Sequence, residues 1–357
     1  MKKIVVAILC GGRSSEHAIS CISAMGILAA IDRDRYEPLL IGITRTAGRW
    51  VLIPESHPLS IVNGVLPSVP EDAPEINTHI HGFSIDGRAL KIDLIFPMLH
   101  GPYGEDGAVQ GFCEIANIPY VGSGVLASAV AMDKSFSKKI FATHGMKVAE
   151  GTLITTEQWQ RNRPACETLI SGLQFPLFVK PARGGSSRGT TKVKSLVELG
   201  PAIEEAHRFD RKAMVEVAVK GREVECAVLE VDGMVRASPP GEIIIDSKFQ
   251  FYDFEAKYLD EATTVKIPAD IPDAARAEIQ RLAAMAFNAL GCSGLARVDF
   301  FYCSDGQIVI NELNTMPGFT PTSVFPRLMA ASGIAYSQII DELIKGAMTR
   351  KNSVLGN

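Results

Sequence analysis

The chain has 357 residues, of which 46% are hydrophobic and 21% are charged. This length exceeds one ordinary domain of about 100–200 residues, so we predict two or three domains with an active site where they meet. The composition excludes wholesale disorder. A net charge of −4 without long blocks of like charge excludes a broad surface for nucleic acid or anionic membranes. Any anionic ligand must therefore be held by a local cluster of basic side chains.

The seven cysteines are scattered and form no C-x-x-C pair. This pattern argues against a zinc site or a disulfide framework and favours a reducing cytoplasm. No segment approaches the roughly 20 apolar residues needed to span a bilayer. The apolar run at residues 4–10 resembles a signal peptide, but charged residues interrupt it before any cleavage site. We interpret it as a buried first strand.

Strands and helices alternate in the N-terminal part of the sequence. Gly11 and Gly12 end the first strand, and apolar residues at helical spacing follow them. Further strands are predicted at residues 38–43 and 92–98, and the second is followed by a glycine-rich loop and a helix. Strands that alternate with helices imply a parallel sheet covered on both faces.

The segment at residues 122–124 (GSG) indicates a domain boundary, after which the pattern predicts one long helix at about residues 125–143. In a second unit, strands meet at a mobile glycine loop, which indicates an antiparallel, lid-like sheet. A third unit begins near residue 215. Its predicted elements are two strands split at 220–221, a polar loop at 247–258, a helix at 272–290, a hairpin across 304–306 and a terminal helix.

The predicted hairpin carries the strongest chemical signal. Side chains alternate along a strand, so Arg297 and Asp299 share one face, and Glu312 and Asn314 share a face of the returning strand. If these faces coincide, Asp299, Glu312 and Asn314 form an all-oxygen cluster that suits Mg²⁺ and the phosphates of a nucleotide. A half-exposed hairpin with a polar outer face explains the same pattern equally well. The Gly/Pro turn at residues 315–320, whose N–H groups suit an oxyanion, favours the metal site.

A second signal is Lys180, which ends a predicted buried strand just before the Gly/Ser loop at residues 183–189. A lysine and several backbone N–H groups suit phosphates. The loop is not a Walker A motif, because G-x-x-x-x-G-K-[ST] occurs nowhere in the chain. Alone, such a loop is more often a flexible hairpin, whereas beside a magnesium site it becomes a phosphate lid.

A third signal follows the first strand. Gly11 and Gly12 invite a dinucleotide-binding interpretation, yet G-x-G-x-x-G is absent. Glu16, at the C-terminal edge of the predicted sheet, is placed to receive a substrate ammonium group, although its carboxylate would also complement a helix dipole. His100, in the loop after another strand, is expected in the same crevice, and its alternative is a solvated loop histidine.

Taken together, these residues resemble the D-alanine–D-alanine ligases of the ATP-grasp superfamily over essentially the whole chain. The segments that carry the resemblance are 100–107 (HGPYGEDG), 132–134 (MDK), 251–258 (FYDFEAKY) and 311–320 (NELNTMPGFT). The resemblance implies an α/β and α+β protein with an N-terminal parallel α/β (preATP-grasp) domain and the two-lobed ATP-grasp fold. The expected units are a substrate-binding domain at 1–122, a central lobe with the lid at 123–215, and a C-terminal lobe with the metal site and closing loop at 216–357.

The resemblance also implies an activity: the ATP-dependent joining of two D-alanine molecules through an acyl phosphate, for peptidoglycan precursor synthesis. ATP is expected between the central and C-terminal lobes, together with two metal ions, which are Mg²⁺ or Mn²⁺. The implied nucleotide ligands are Lys134, Lys180 and Ser187, with both lysines at the phosphates. Glu216 is implied for the adenine amino group and Glu223 for the ribose. The implied metal ligands are Asp299, Glu312 and Asn314.

For the two amino acids, the resemblance implies that Glu16 meets the ammonium group of the first D-alanine, with His100 among the substrate-binding residues. The carboxylate of the second is expected near Ser323 and Lys257. Phosphoryl transfer requires charge neutralisation and alignment.

Four further residues complete the implied site. Arg297 and the backbone N–H of Gly318 are expected to stabilise the tetrahedral oxyanion. Tyr258, in the closing loop, is expected to reach Glu16 and Ser186 in a latch that excludes water from the acyl phosphate. Because D-lactate-incorporating relatives lack this tyrosine, Tyr258 favours an amine acceptor.

Two departures from the family pattern are Arg188 in the glycine loop and Pro321-Thr322 before Ser323, and the second leaves D-serine open as an acceptor. Two other classes of function remain as alternatives. An NAD-dependent dehydrogenase leaves Lys180 and the hairpin carboxylates unused, and a silent binding protein is expected to lack a metal ligand or lysine. By resemblance we expect a cytoplasmic homodimer, without nucleic-acid or membrane partners.

Overall fold

The structure is a computed structural model that describes residues 2–57, 59–245 and 263–350. The predicted site residues Lys257 and Tyr258 lie outside the described residues. Within the described ranges, strands assemble into four sheets with helices packed against them. No helix in this part of the chain is both long and apolar enough to cross a membrane.

The N-terminal part contains a four-stranded sheet and a small three-stranded one. In the larger sheet, whose order is β3-β2-β1-β7, β1 pairs in parallel with β2 and β7, and β3 adds an antiparallel edge. The predicted parallel arrangement is therefore confirmed for three strands. The strands are β1 (Ile4–Gly11), β2 (Tyr36–Ile43), β3 (Trp50–Ile53), β4 (Asn77–His79), β5 (Gly82–Ile85), β6 (Arg88–Leu90) and β7 (Leu94–Pro97), and the helices are α1 (His17–Ala30) and α2 (Ala108–Ala116).

The turn after β1 requires glycine. Gly11 has φ +86° and Gly12 has φ +91°, and a Cβ on Gly11 would lie 2.5 Å from the carbonyl oxygen of Ile43. L-residues with side chains rarely adopt this backbone conformation. The turn brings Glu16 to the carboxyl edge of the sheet, where the loop after β7 also brings His100.

The long helix predicted for residues 125–143 is wrong, because two helices occur there: α3 (Val125–Met132) and α4 (Lys134–Thr143). Asp133 between them is extended (φ −89°, ψ 96°), and its side chain accepts a 3.0 Å hydrogen bond from the backbone N–H of Ser135. Aspartate favours this N-cap conformation because its carboxylate satisfies an otherwise unpaired N–H. Lys212 fixes the same carboxylate through a 2.6 Å ion pair. Lys134 therefore begins its own helix.

The second unit is the predicted antiparallel sheet, in the order β10-β9-β11-β8. The glycine loop connects β9 to β10 at one end. The predicted domain boundary after residue 215 falls inside β11, which pairs with β8 and β9. The elements are β8 (Gly151–Thr155), α5 (Thr156–Arg161), α6 (Arg163–Ser171), β9 (Leu177–Pro181), β10 (Thr191–Val193), α7 (Leu196–His207) and β11 (Lys212–Val217).

The third unit contains a six-stranded antiparallel sheet, in the order β15-β14-β12-β16-β17 with β13 paired to β12. The predicted hairpin is confirmed as β16 and β17, whereas the single terminal helix is two helices. The strands are β12 (Gly221–Val231), β13 (Met234–Ala237), β14 (Gly241–Ile245), β15 (Thr263–Lys266), β16 (Leu295–Cys303) and β17 (Ile308–Asn314), and the helices are α8 (Asp273–Ala289), α9 (Val324–Ala331) and α10 (Tyr336–Thr349).

One hydrophobic core joins the first sheet to the third unit. Successive side chains of a strand point to opposite faces, so a fully buried strand serves two cores. Strand β1 does so on both its faces, as predicted, and β12 does the same. The shared core contains Val6, Ile8 and Cys10 of β1 with Ala227, Leu229 and Val231 of β12, whereas Ala7 and Leu9, and Val224, Cys226 and Val228, face two other cores.

Phe319 lies in this shared core and is fully buried. Its ring packs 5.9 Å from that of Phe96 in β7 and 5.4 Å from that of Tyr336 in α10.

We predict that Phe319→Ala lowers the free energy of unfolding by about 3–5 kcal/mol, because it leaves a cavity between the units. Urea denaturation followed by circular dichroism measures this loss. The control Leu126→Ala removes a side chain of a residue that is 75% exposed, and it should change stability by no more than about 0.5 kcal/mol; equal stabilities would contradict the role of Phe319.

Candidate active site

Two cavities of about 330 and 350 Å³ lie side by side where the three units meet. Lys134, Gly184, Ser186 and Glu312 line both of them. Every predicted site residue within the described ranges lines at least one cavity. Besides the shared residues, the first is lined by Glu16, His100, Arg297, Asn314, Gly318 and Ser323, and the second by Lys180, Ser187, Glu216, Glu223 and Asp299.

The glycine loop closes onto the N-terminal domain through Glu16. Ser186 donates a 2.7 Å hydrogen bond from Oγ to Glu16 Oε1, so two of the three members of the predicted latch are in contact. A Cβ on either Gly101 or Gly185 would lie 3.0 Å from Glu16 Oε2, which shows how closely backbone surrounds this carboxylate. Ser186 and Ser187 both have positive φ, at 50° and 56°. Such backbone strain in non-glycine residues concentrates at functional sites.

His100 is buried rather than solvated, so the alternative of a solvated loop histidine is wrong. Its Nδ1 lies 2.9 Å from the carbonyl oxygen of Met316, and its Nε2 lies 3.4 Å from Ser23 Oγ. A carbonyl only accepts, so Nδ1 donates, and in the neutral ring Nε2 then accepts from the serine hydroxyl. Burial lowers the pKa of His100, which favours this neutral form. The ring therefore fixes the turn around Met316 against the N-terminal domain.

Glu105 is a residue of the site that sequence reasoning missed, although it lies within the family-like segment at 100–107. Its Oε2 accepts a 2.8 Å hydrogen bond from the N–H of Gly101, and its Oε1 accepts a 3.1 Å bond from the N–H of Met316. Burial and the negative charge of Glu16 raise the pKa of Glu105 to about 8. The carboxyl group thus connects the loop after β7 to the turn after β17.

The hairpin faces coincide as predicted. Arg297 lies opposite Asn314 and Asp299 opposite Glu312, with a β-bulge between Asp299 and Phe300. Arg297 donates two hydrogen bonds to Asp299, of 2.8 Å from Nε and 2.7 Å from Nη2. Asn314 donates a 3.1 Å bond to the same carboxylate. A bulge next to an active site turns side chains toward a common point.

Positive side chains balance the carboxylates of this cluster. Lys134 forms a 3.0 Å ion pair with Glu312, and Arg297 forms a 2.9 Å ion pair with Glu225. Among the described residues, no three His, Cys, Asp or Glu side chains are grouped to hold a metal. The predicted set differs in having two carboxylates and the amide of Asn314. Its donors are all oxygen and mostly buried, so they fit a hard cation such as Mg²⁺.

In the second cavity, Glu216 lies between two buried lysines. Its Oε2 forms a 2.7 Å ion pair with Lys180, and its Oε1 pairs with Lys138. Burial alone would raise the pKa of Glu216, but the charges of the two lysines lower it to about 2. Sequence reasoning missed Lys138, which lies one helical turn after Lys134 on α4 and has no local signal of its own.

A family model described as "D-ala D-ala ligase N-terminus" matches residues 5–123, and one described as "D-ala D-ala ligase C-terminus" matches residues 140–345. The chain belongs to the D-alanine–D-alanine ligase family. It is 48% identical to a D-alanine–D-alanine ligase of Pseudarthrobacter chlorophenolicus, over 98% of this chain and 95% of that protein. It is 45% identical to the enzyme of that name from Mycobacterium leprae, over 98% of this chain and 94% of that protein.

Solved structures of the D-alanine–D-alanine ligase family agree with this assignment. The D-Ala:D-Ser ligase VanG of Enterococcus faecalis superimposes with a TM-score of 0.84 and 35% identity, over 97% of this chain and 100% of that one. The D-alanine–D-alanine ligase of Coxiella burnetii gives a TM-score of 0.82 and 34% identity, over 98% and 94% of the two chains. The predicted family and fold class are therefore confirmed, and the dehydrogenase interpretation is wrong.

We predict that Glu105→Ala loosens the junction between the loop after β7 and the turn after β17. The change leaves the N–H groups of Gly101 and Met316 without this acceptor, at about 1–3 kcal/mol of stability for each group. Thermal denaturation and hydrogen exchange at these two amides measure the effect. The control Glu204→Ala alters an exposed residue whose ion pair with Arg163 is 3.9 Å long. If both variants behave alike, Glu105 does not hold the junction.

Proposed function

We propose that this member of the ligase family joins two D-alanine molecules, with conversion of ATP to ADP and phosphate, to give D-alanyl-D-alanine for peptidoglycan precursors. The observation that carries the proposal is the meeting of the two cavities at Lys134, Ser186 and Glu312. A nucleotide in one cavity and an amino acid in the other would bring a γ-phosphate to a carboxylate at that point. The reaction begins there with transfer of the phosphoryl group to the first D-alanine, which forms an acyl phosphate.

ATP occupies the second cavity on this proposal. Lys134, Lys180 and Ser187 bind its phosphates, because buried ammonium groups and a Gly/Ser loop suit them. Glu216 accepts a hydrogen bond from the adenine amino group, and Glu223 binds the ribose hydroxyls. All five side chains line the cavity, which supports this assignment.

Asp299, Glu312 and Asn314 hold Mg²⁺ or Mn²⁺, and we propose two ions. The all-oxygen donor set at the junction of the cavities supports this role. When bound, the metal neutralises negative charge on the phosphates and aligns them. Arg297, held by Asp299 and Glu225, stays beside these ligands.

The first cavity holds the amino acids. Glu16 binds the ammonium group of the first D-alanine. Ser186 keeps the carboxylate of Glu16 in place through its hydrogen bond. The carboxylate of the second D-alanine lies near Ser323, whose hydroxyl is 2.7 Å from Thr320 Oγ1. Arg297 and the N–H of Gly318 stabilise the oxyanion that forms when the second amine attacks.

Three assignments rest mainly on resemblance to the family. These are the roles of His100 as a substrate-binding residue, of Lys257 at the second carboxylate and of Tyr258 in the latch. We also propose a homodimer in the cytoplasm; all seven cysteines are free thiols, which supports a reducing compartment. Three units compose the chain, with the second boundary after β11 because that strand belongs to the second sheet.

D-serine is the second candidate for the acceptor. The hydroxyl-bearing residues Thr320, Thr322 and Ser323 line the end of the first cavity where the second amino acid would lie. The structurally similar VanG is named a D-Ala:D-Ser ligase. A hydroxymethyl side chain needs hydrogen-bond partners that a methyl group does not, so these hydroxyls are relevant to the choice.

We predict phosphate release that depends on D-alanine when the protein is incubated with ATP, Mg²⁺ and D-alanine, with ADP and dipeptide in equal amounts. Chromatography of the products and a phosphate assay measure this stoichiometry. A parallel reaction with equimolar D-alanine and D-serine shows which acceptor is preferred. Phosphate release without any dipeptide, or no phosphate release at all, would contradict the proposal.

We predict that Glu312→Gln lowers turnover by about 100-fold or more while the fold survives, because the amide removes a charged metal ligand. Steady-state assays and circular dichroism report the two properties. The matched control is Asp305→Asn in the turn of the same hairpin, where the carboxylate is exposed and accepts a 3.1 Å bond from Gln307 N–H. Near-normal activity of the Glu312 variant, with an intact spectrum, contradicts the metal role.

A further inference from the structure

Lys138 is a buried charged residue that has no part in the reaction described above. It lies on α4, one turn after Lys134, and only 6% of its surface is exposed. Its partner Glu216 is 4% exposed. Burial lowers the pKa of Lys138 to about 8, although the Glu216 charge acts in the opposite direction. A buried ammonium group is costly to fold, so its presence needs a reason beyond packing.

The two oxygens of Glu216 are divided between two lysines. Oε1 pairs with Lys138, whereas Oε2 pairs with Lys180 at 2.7 Å. Lys180 has a second, longer contact of 3.4 Å with Asn311 Oδ1 and lines the second cavity. The three side chains thus form a row of charges, positive, negative, positive, along the wall of that cavity.

This division matters once a nucleotide binds. Phosphate groups attract the ammonium group of Lys180, which then turns away from Glu216. A buried carboxylate that loses its only cation becomes strongly unfavourable. With Lys138 on the other oxygen, Glu216 keeps a partner and its position when Lys180 turns.

We propose that Lys138 is a positioning residue of the nucleotide site, which holds Glu216 in place so that Lys180 is free to bind phosphate. The inference rests on the proposed function, because it takes the second cavity as the nucleotide site. A role in packing alone predicts that Lys138→Met, which keeps much of the side-chain volume, leaves the affinity for the nucleotide unchanged.

The test is the affinity of each variant for Mg·ADP, measured by calorimetry without D-alanine. Lys138→Met is expected to raise the Kd by roughly 30-fold, because one partner of a buried charge pair is lost. Lys138→Arg keeps the charge and should recover most of the affinity. In steady-state assays, the KM for ATP should rise far more than kcat falls. The matched control is Lys139→Met, which alters the next lysine of the same helix; that lysine is exposed and lies over the ring of Phe136.

A double variant separates positioning from packing. In Lys138→Met combined with Glu216→Gln, the neutral amide no longer needs a cation, so we expect tighter Mg·ADP binding than in Lys138→Met alone. If Lys138 only packed, the two changes would add. If Lys138→Met fails to fold, Glu216→Gln is compared with the double variant instead. Equal affinities of these two variants for Mg·ADP support the positioning role of Lys138, and a weaker affinity of the double variant overturns that role.

The outcomes distinguish this inference from the proposed function. No binding of Mg·ADP by the unaltered protein would refute the nucleotide site itself. Normal binding by the unaltered protein, with Lys138→Met equal to it in Kd and folded by circular dichroism, overturns the positioning role and leaves the proposed function standing.

Discussion

Pairing of opposite charges across the cleft is the constraint on which the rest of the site depends. The basic side chains that form these pairs are mostly buried, and an isolated buried charge would be too unfavourable to fold. The pairs therefore fix elements from different parts of the chain relative to one another, including α4, β9, β11, β16 and β17. They are Lys134 with Glu312, Lys138 and Lys180 with Glu216, and Arg297 with Glu225 and Asp299.

Much of the fold was predictable because its signals are local. The first strand and the glycine turn are each encoded within about ten consecutive residues, and the final hairpin within the continuous segment 295–314, by alternation and turn chemistry. The break between α3 and α4 was not predictable in this way. Asp133 is compatible with a helix interior by itself, and the residue that fixes its extended conformation, Lys212, lies 79 positions away.

The same distinction applies to the site. Glu16, Lys180 and the hairpin carboxylates stand beside glycine turns or at strand ends, where a sequence marks them. Lys138 carries no such mark, since a lysine one turn after another lysine usually indicates an exposed helix face. Glu105 follows Gly104 in a glycine-rich loop, but nothing local distinguishes it from the neighbouring Asp106. Their roles arise from partners on other elements, 78 positions away for Glu216 and 211 for Met316.

The contact of Ser186 with Glu16 links the lid to the amino-acid cavity. Ser186 lies on the glycine loop over the proposed nucleotide cavity, yet its hydroxyl binds the carboxylate proposed to hold the first D-alanine. The lid therefore closes most favourably when Glu16 is correctly placed. An acyl phosphate is easily hydrolysed, so it must form only after water is excluded. Under the proposed function, this single hydrogen bond makes closure of the glycine loop depend on the geometry of the site that would supply the acyl group.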